Sequence, residues 1–135
     1  MNFWDQRYAE PGFKYGTEQN AFLQAQAHRL LPASRVLVPG DGEGRNGVWL
    51  ATQGHEVTSV DNSDMGLQKA KSLAASRGVS LRTELVDLAN WQPAVASFDA
   101  LVLIYTHLPS RFRQTAHRAL AHVTRWLGQR CSFNF

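Results

Sequence analysis

An apolar run, Val36-Leu37-Val38, halts at Pro39 and gives way to glycines at alternate positions, Gly40, Gly42 and Gly44, with Asp41 and Glu43 between them. A second run, Glu56-Val57-Thr58-Ser59-Val60, ends on an acid, Asp61. Together they require a strand that turns tightly into a helix and a following strand that delivers an acid beside the turn. Glycine lets the backbone adopt positive φ and approach a ligand where a Cβ would collide. An acid at the next strand tip can accept both hydroxyls of a ribose. A purely structural turn accounts for the glycines but not for Asp61, so the pair points to a nucleotide-type cofactor.

Spacing narrows the choice. The dinucleotide fingerprint G-x-G-x-x-G, counted from Gly40, needs a glycine at position 45, where Arg45 stands. Two carboxylates inside the loop would repel a pyrophosphate, whereas a sulfonium and an ammonium tolerate them. S-adenosylmethionine fits this pattern better than NAD.

The rest of the chain alternates strands with helices. The first residues to Gly16 read as irregular, rich in aromatics and punctuated by Pro11-Gly12 and Tyr15-Gly16. A helix is expected from about Glu18 to Leu31, a strand over Arg35 to Val38, a helix from near Glu43 to about Gln53, and a strand over Glu56 to Val60. Ser63 or Asp64 should cap a helix through Ser76, with Gly78 just beyond it. Strand three falls near Leu81 to Leu85. Ala100-Leu101-Val102-Leu103-Ile104, apolar throughout, reads as a central parallel strand. A last helix should start at Ser110 and carry Phe112, Ala116, Leu120, Val123 and Leu127 on one face. The expected fold class is α/β: a Rossmann-like, doubly wound parallel sheet in a three-layer αβα arrangement.

Length and composition agree with one domain over 1–135, since 135 residues at 44% hydrophobic suffice for one core. No basic region followed by an apolar core opens the sequence, and no run is long enough to span a bilayer, which makes the cytoplasm the expected compartment. The single cysteine, Cys131, excludes an internal disulfide, and the five histidines show no metal-ligand spacing such as H-E-x-x-H. No Asp or Glu follows Asp99, while Arg111, Arg113, Arg118, Arg125 and Arg130 do. That basic segment reads as a solvated helix face, with nucleic-acid contact as the sharper alternative that no recognised motif supports.

Ligands in such sheets bind at the carboxyl ends of the strands. That rule gathers Gly40 to Gly44 after strand one, Asp61 and Asn62 after strand two, Asp87 and Leu88 after strand three, and Tyr105-Thr106-His107 after strand four. Asp87 is placed to accept from an adenine amino group and Leu88 to pack on the ring, or Asp87 serves as a turn or helix cap.

With these residues assembled, the chain resembles the class I S-adenosylmethionine-dependent methyltransferases, and more closely the branch containing the tellurite-resistance and thiopurine methyltransferases. The resemblance covers about residues 3 to 128. It rests on Phe3-Trp4-Asp5-Gln6-Arg7-Tyr8, Tyr15-Gly16-Thr17-Glu18 with Asn20, Gly40 through Asn46, Gly54-His55-Glu56-Val57 leading to Val60-Asp61, Asp87-Leu88, and His107-Leu108-Pro109. It implies that the loop, with Gly40, Asp41, Gly42, Glu43, Gly44 and Asn46, holds the methionine part of the cofactor. Asp61 and Asn62 would meet the ribose, Asp87 and Leu88 the adenine, and Tyr105 would lie beside the methyl donor. The segment 1–17 would close over the site as a cap. Trp4, Arg7 and Tyr8 are its acceptor-side candidates, and Tyr15 joins His107 as a candidate catalytic group. The plainer alternatives are that Trp4 and Tyr8 anchor the terminus, that Arg7 forms a surface ion pair, and that His107 caps the turn before Pro109.

Two departures stand out. Val38 occupies a position where such enzymes often carry an acid, which Asp41 and Glu43 partly replace. The glycine pair that usually leads into a fifth strand is replaced by Trp126-Leu127-Gly128-Gln129-Arg130. A complete fold of this class has seven strands, so the expectation is a sheet truncated after about strand five, with the last two strands missing. A fifth strand at 130–135 would then expose an edge, inviting a homodimer or marking a truncated product. The expected function is methyl transfer from S-adenosylmethionine to a small-molecule nucleophile, such as a thiol or oxyanion. The alternatives are a cofactor-binding module without methyltransferase activity and, against the glycine spacing, a nicotinamide-dependent oxidoreductase.

Overall fold

The structure, a computed structural model, describes residues 3–87, 98–103 and 125–128. In chain order these form α1 (Phe3–Tyr8), α2 (Ala21–Gln26) running into a 3-10 turn (Ala27–Arg29), β1 (Arg35–Pro39), α3 (Arg45–Thr52), β2 (Glu56–Asp61), α4 (Asp64–Ser76), β3 (Arg82–Leu85), β4 (Ala100–Leu103) and β5 (Arg125–Gly128). The strands make one parallel sheet in the order β3-β2-β1-β4-β5. Chain order reverses between β1 and β4, and the glycine loop leaves β1 at that switch point, where open α/β sheets hold their ligands.

The central strands are buried along their length. In β1, Val36 to Pro39 are buried and only Arg35 is exposed, and Ala100 to Leu103 are buried throughout. Val36, Val38, Val57, Ala100 and Val102 form one core with Leu23 and Leu30 from the α2 region and Leu50 and Ala51 from α3. A second cluster joins Val48 of α3 to Leu73 and Ala74 of α4. Truncating a buried leucine such as Leu50 to alanine would cost about 2–5 kcal/mol. At the entrance to the sheet, Arg35 and Asp99 are tied by a bidentate pair, with Asp99 Oδ1 3.0 Å from Nη2. The guanidinium holds the Asp99 carboxyl down at about 2.

The ends of the helices follow local chemistry. Gly44, at φ 91°, precedes α3, and Gly54 and Gly78 take positive φ just after α3 and α4. Ser63 caps α4 by accepting from Gly66 N at 3.1 Å. Among the described residues no helix is long and apolar enough to cross a membrane.

Four details correct the expectations. Residues 3–8 are helical rather than irregular, because this turn is stabilised by tertiary contacts described below that no local pattern carries. The helix expected from Glu18 starts at Ala21, since Asn20 Oδ1 accepts from Phe22 N (2.8 Å) and Leu23 N (3.1 Å), and it tightens into a 3-10 turn before Leu30. The helix expected from Glu43 starts at Arg45, after the left-handed Gly44. Leu127, assigned to the face of a last helix, lies in β5, and the fifth strand occupies Arg125–Gly128 rather than 130–135. An apolar residue four positions after Val123 satisfies a helical period, but it equally satisfies a short apolar strand. Ile104 and the remainder of the expected last helix lie outside the described residues.

Candidate functional site

The glycine loop is built by its own hydrogen bonds. Gly40 N donates to Val60 O at 2.7 Å, which extends the β1–β2 ladder one step beyond Pro39, and Gly44 N donates to Asp41 O at 3.1 Å. Gly42, at φ 60°, donates its N–H to Asp61 Oδ2 at 2.9 Å. A Cβ on Gly42 would lie 2.6 Å from the Tyr8 hydroxyl, and one on Gly44 would lie 2.8 Å from the Ala70 Cα, so both positions need glycine for space as well as for backbone angle.

Asp61 ends β2 and is buried. Its Oδ1 accepts from Ser63 N at 3.0 Å, while Oδ2 holds Gly42. Burial pushes its pKa up, and the backbone N–H groups of Gly42, Ser63 and Asn62 oppose that shift. Each carboxylate oxygen can accept more than one hydrogen bond, so Asp61 keeps acceptor capacity for a ligand hydroxyl. Asn62 follows it, half-buried, and Val86 N donates to Asp61 O at 2.9 Å, which places the exposed Asp87 at the neighbouring strand tip.

The loop acids face inward. Asp41 accepts from Ser59 Oγ at 2.6 Å and from Gly47 N at 3.2 Å to Oδ2. The residue keeps some exposure, but its carboxylate lies against the fully buried Ser59, and burial pushes its pKa up to about 7. Glu43 is buried, with Oε1 accepting from Lys14 N at 2.7 Å and Oε2 paired with Lys69 Nζ at 2.9 Å. The charge argument drawn from the sequence is therefore corrected: Glu43 is offset by Lys69, and Asp41 holds its proton further toward neutral pH than an ordinary aspartate. Asn46 is likewise engaged, its Oδ1 accepting from Asn20 N at 2.8 Å.

The amino-terminal helix lies across this edge. Trp4 stacks on Tyr8 at 5.6 Å between centroids and meets Phe3 edge-on at 5.2 Å. Arg7 Cζ sits 5.2 Å from the Phe3 ring and 5.8 Å from the Trp4 ring, and Arg7 Nε is buried without a hydrogen-bond partner among the described residues. Asp5 Oδ1 accepts from Ser63 Oγ at 2.7 Å and Met65 N at 3.1 Å, adding an anion at the start of α4. Tyr8 is buried against Gly42 and Gly66. Burial first, then the charge of Asp61, raises the pKa of its phenol. Tyr8, which the sequence offers either as an acceptor-side residue or as an anchor of the terminus, packs against the glycine loop. Tyr15 is largely exposed.

Leu88, Tyr105 and His107 lie outside the described residues. The sequence gives no role to Ser59 or Lys69, names Asp5 only within the Phe3–Tyr8 motif, and marks Ser63 as a helix cap without its bond to Asp5. One signal points to Ser59, a polar residue in a strand that must be buried, and Gly66, early in α4, marks where the Tyr8 ring needs room.

Comparison with known proteins adds kinship. A family profile described as a methyltransferase domain matches residues 36–129. A thiopurine S-methyltransferase of Pseudomonas putida is 42% identical over 64 residues, which is 45% of this chain and 30% of that protein. The chain thus spans about a third of the length of that curated relative. A solved structure titled for the conversion of a disulfide bond into a thioacetal group during echinomycin biosynthesis superposes with a TM-score of 0.67 at 26% identity, covering 86% of this chain and 55% of that one. TehB from Haemophilus influenzae gives a TM-score of 0.62 at 21% identity, covering 90% and 41%, a likeness of fold.

Proposed function

The chain belongs to the methyltransferase-domain family, and from that premise we propose that it binds S-adenosylmethionine at the 40–44 loop and transfers the methyl group to a small-molecule nucleophile. The observation that carries the reading is the use of the loop's N–H groups. Gly40 donates to Val60, Gly42 to Asp61 and Gly44 to Asp41, so the glycine amides that would cradle a pyrophosphate in a dinucleotide site are turned inward. What the loop offers is a tightly tied turn, free of outward glycine N–H donors, beside an acid able to accept from a ribose. This suits an adenosyl cofactor without phosphates.

Bound S-adenosylmethionine would supply an electrophilic methyl group on a sulfonium. The chain's own task is then positional. Asp61 accepts from the ribose, Gly42 and Gly44 let the loop close against Tyr8 and Ala70 and so hold Asp61 in place, and Asp87 stands at the neighbouring tip where an adenine amino group is expected. Tyr8, backed by the Trp4 ring, covers the loop at Gly42 and would exclude water there, an effect worth several orders of magnitude in rate when it also aligns the reactants. A soft acceptor such as a thiol needs little help from a base. The thiopurine S-methyltransferase relatives favour that class, and Arg7, whose Nε has no hydrogen-bond partner among the described residues, suits an acceptor carrying negative charge.

Calorimetry with S-adenosylmethionine, S-adenosylhomocysteine and NAD in parallel tests the reading. Both sulfur cofactors should bind and NAD should not. A folded protein that binds neither refutes it, and binding without turnover across thiols and oxyanions would leave a binding module in its place.

A further inference from the structure

We propose that Lys69 is a positioning residue that clasps residues 10–14 onto the glycine loop through Glu43, so that cofactor retention depends on this ion pair. The inference rests on the S-adenosylmethionine reading of the loop. An ammonium has three N–H donors, and Lys69 Nζ meets three oxygens: Glu43 Oε2 at 2.9 Å, Glu10 O at 2.6 Å and Gly12 O at 2.5 Å. The Phe13 ring lies 5.8 Å from the same nitrogen and packs against the cluster of Val48, Leu73 and Ala74. Glu43 completes the clasp from the loop side by accepting from Lys14 N.

The pair is shielded, with side-chain exposures of 21% for Lys69 and 4% for Glu43, so salt screens it weakly and loss of either partner strands the other charge. Its location gives it leverage. Glu43 sits between Gly42, which is bonded to Asp61, and Gly44, which is seated on α4. The clasped segment in turn lies between Tyr8, packed on Gly42, and Tyr15. A shift of residues 10–14 therefore pulls on the loop that holds the cofactor, and one ion pair couples the two.

The test uses the full chain with Lys69→Met, Glu43→Gln and the double variant. Two quantities are read: the stopped-flow dissociation rate of S-adenosylhomocysteine and hydrogen exchange at the Lys14 amide without cofactor. Each single variant should release the cofactor about tenfold faster, and the double variant no faster than either, because both remove one interaction. Lys14 should lose protection while β1 and β2 amides keep theirs. Wild-type dissociation in Lys69→Met despite lost Lys14 protection overturns the inference. So does an effect confined to Glu43→Gln, which would mean direct contact between Glu43 and the cofactor. If Lys69→Met does not fold, Lys69→Gln, with two N–H donors left for the carbonyls, gives the same comparison. Absence of any cofactor binding by the wild type refutes the functional reading, and the Lys14 exchange then judges the clasp alone.

Discussion

Gly42 N–H and Asp61 Oδ2 are joined at 2.9 Å, which makes the middle glycine of the loop and the acid at the tip of β2 one structural unit. Neither can be altered without disturbing the other. Asp61→Asn retains one carbonyl acceptor but presents an amide N–H₂ to either Gly42 N or Ser63 N, leaving a buried donor unsatisfied. The expected cost is about 1–3 kcal/mol in urea unfolding. Affinity for S-adenosylhomocysteine should fall at least about tenfold, the loss expected when one bond to a ribose hydroxyl goes. Stability loss with unchanged affinity would remove Asp61 from the ribose role and leave it as a loop anchor.

The two glycines that flank α3 separate crowding from backbone strain. Gly44 and Gly54 have similar positive φ, 91° and 95°, but a Cβ on Gly44 meets the Ala70 backbone at 2.8 Å while one on Gly54 meets nothing within 4 Å. Gly54→Ala should cost about 1 kcal/mol, the left-handed penalty alone. Gly44→Ala should cost at least about 3 kcal/mol, because α3 and α4 must part to admit it. Equal losses in the two thermal melts would show that the α3–α4 contact yields freely.

Asn46, a cofactor ligand by the resemblance, accepts through Oδ1 from Asn20 N, the residue that caps α2, and this structural bond gives it a second role. Asn46→Ala should therefore destabilise the fold by about 1–3 kcal/mol through a buried unsatisfied N–H. Cofactor affinity, measured by calorimetry, should stay within about threefold of the wild type, since 1.4 kcal/mol is needed for each tenfold change. A larger drop in affinity than in stability would show that Asn46 contacts the cofactor directly.

Much of this was legible in the sequence because it is encoded locally. Val36 to Val38, Val57 to Val60 and Ala100 to Leu103 announce buried strands by composition, and Gly54 and Gly78 mark where helices stop. The glycine loop and Asp61 are likewise local signals, each beside its own strand. What escaped the reading is held by long-range partners. Phe3–Tyr8 is helical while Asp5 bonds to Ser63 and Met65 and Tyr8 packs on Gly42 and Gly66, all more than thirty residues away in sequence. The inward turn of Asp41 and Glu43 was hidden for the same reason, since Ser59 and Lys69 lie on other elements. Leu127 was ambiguous because one apolar residue fits both periods.

Asp41 makes stability depend on pH in a direction that its chemistry fixes. Its carboxyl titrates near 7 in the fold against the usual 3.8, because burial beside Ser59 disfavours the charged form more than the hydrogen bonds from Ser59 and Gly47 favour it. Between about pH 4 and 7 the folded chain keeps a proton that the unfolded chain has released, so stability falls as pH rises through this window and levels off above it. The contribution is roughly 2–4 kcal/mol. Asp61, also raised by burial, adds in the same sense. Asp41→Asn preserves an acceptor for Gly47 N and a donor for Ser59 Oγ without the charge. Urea unfolding at pH 5 and pH 8 should show the wild type losing more stability than the variant by at least about 1.5 kcal/mol. Parallel profiles would mean that the Asp41 carboxylate is ionised in the folded protein at pH 5, held so by its bonds to Ser59 and Gly47.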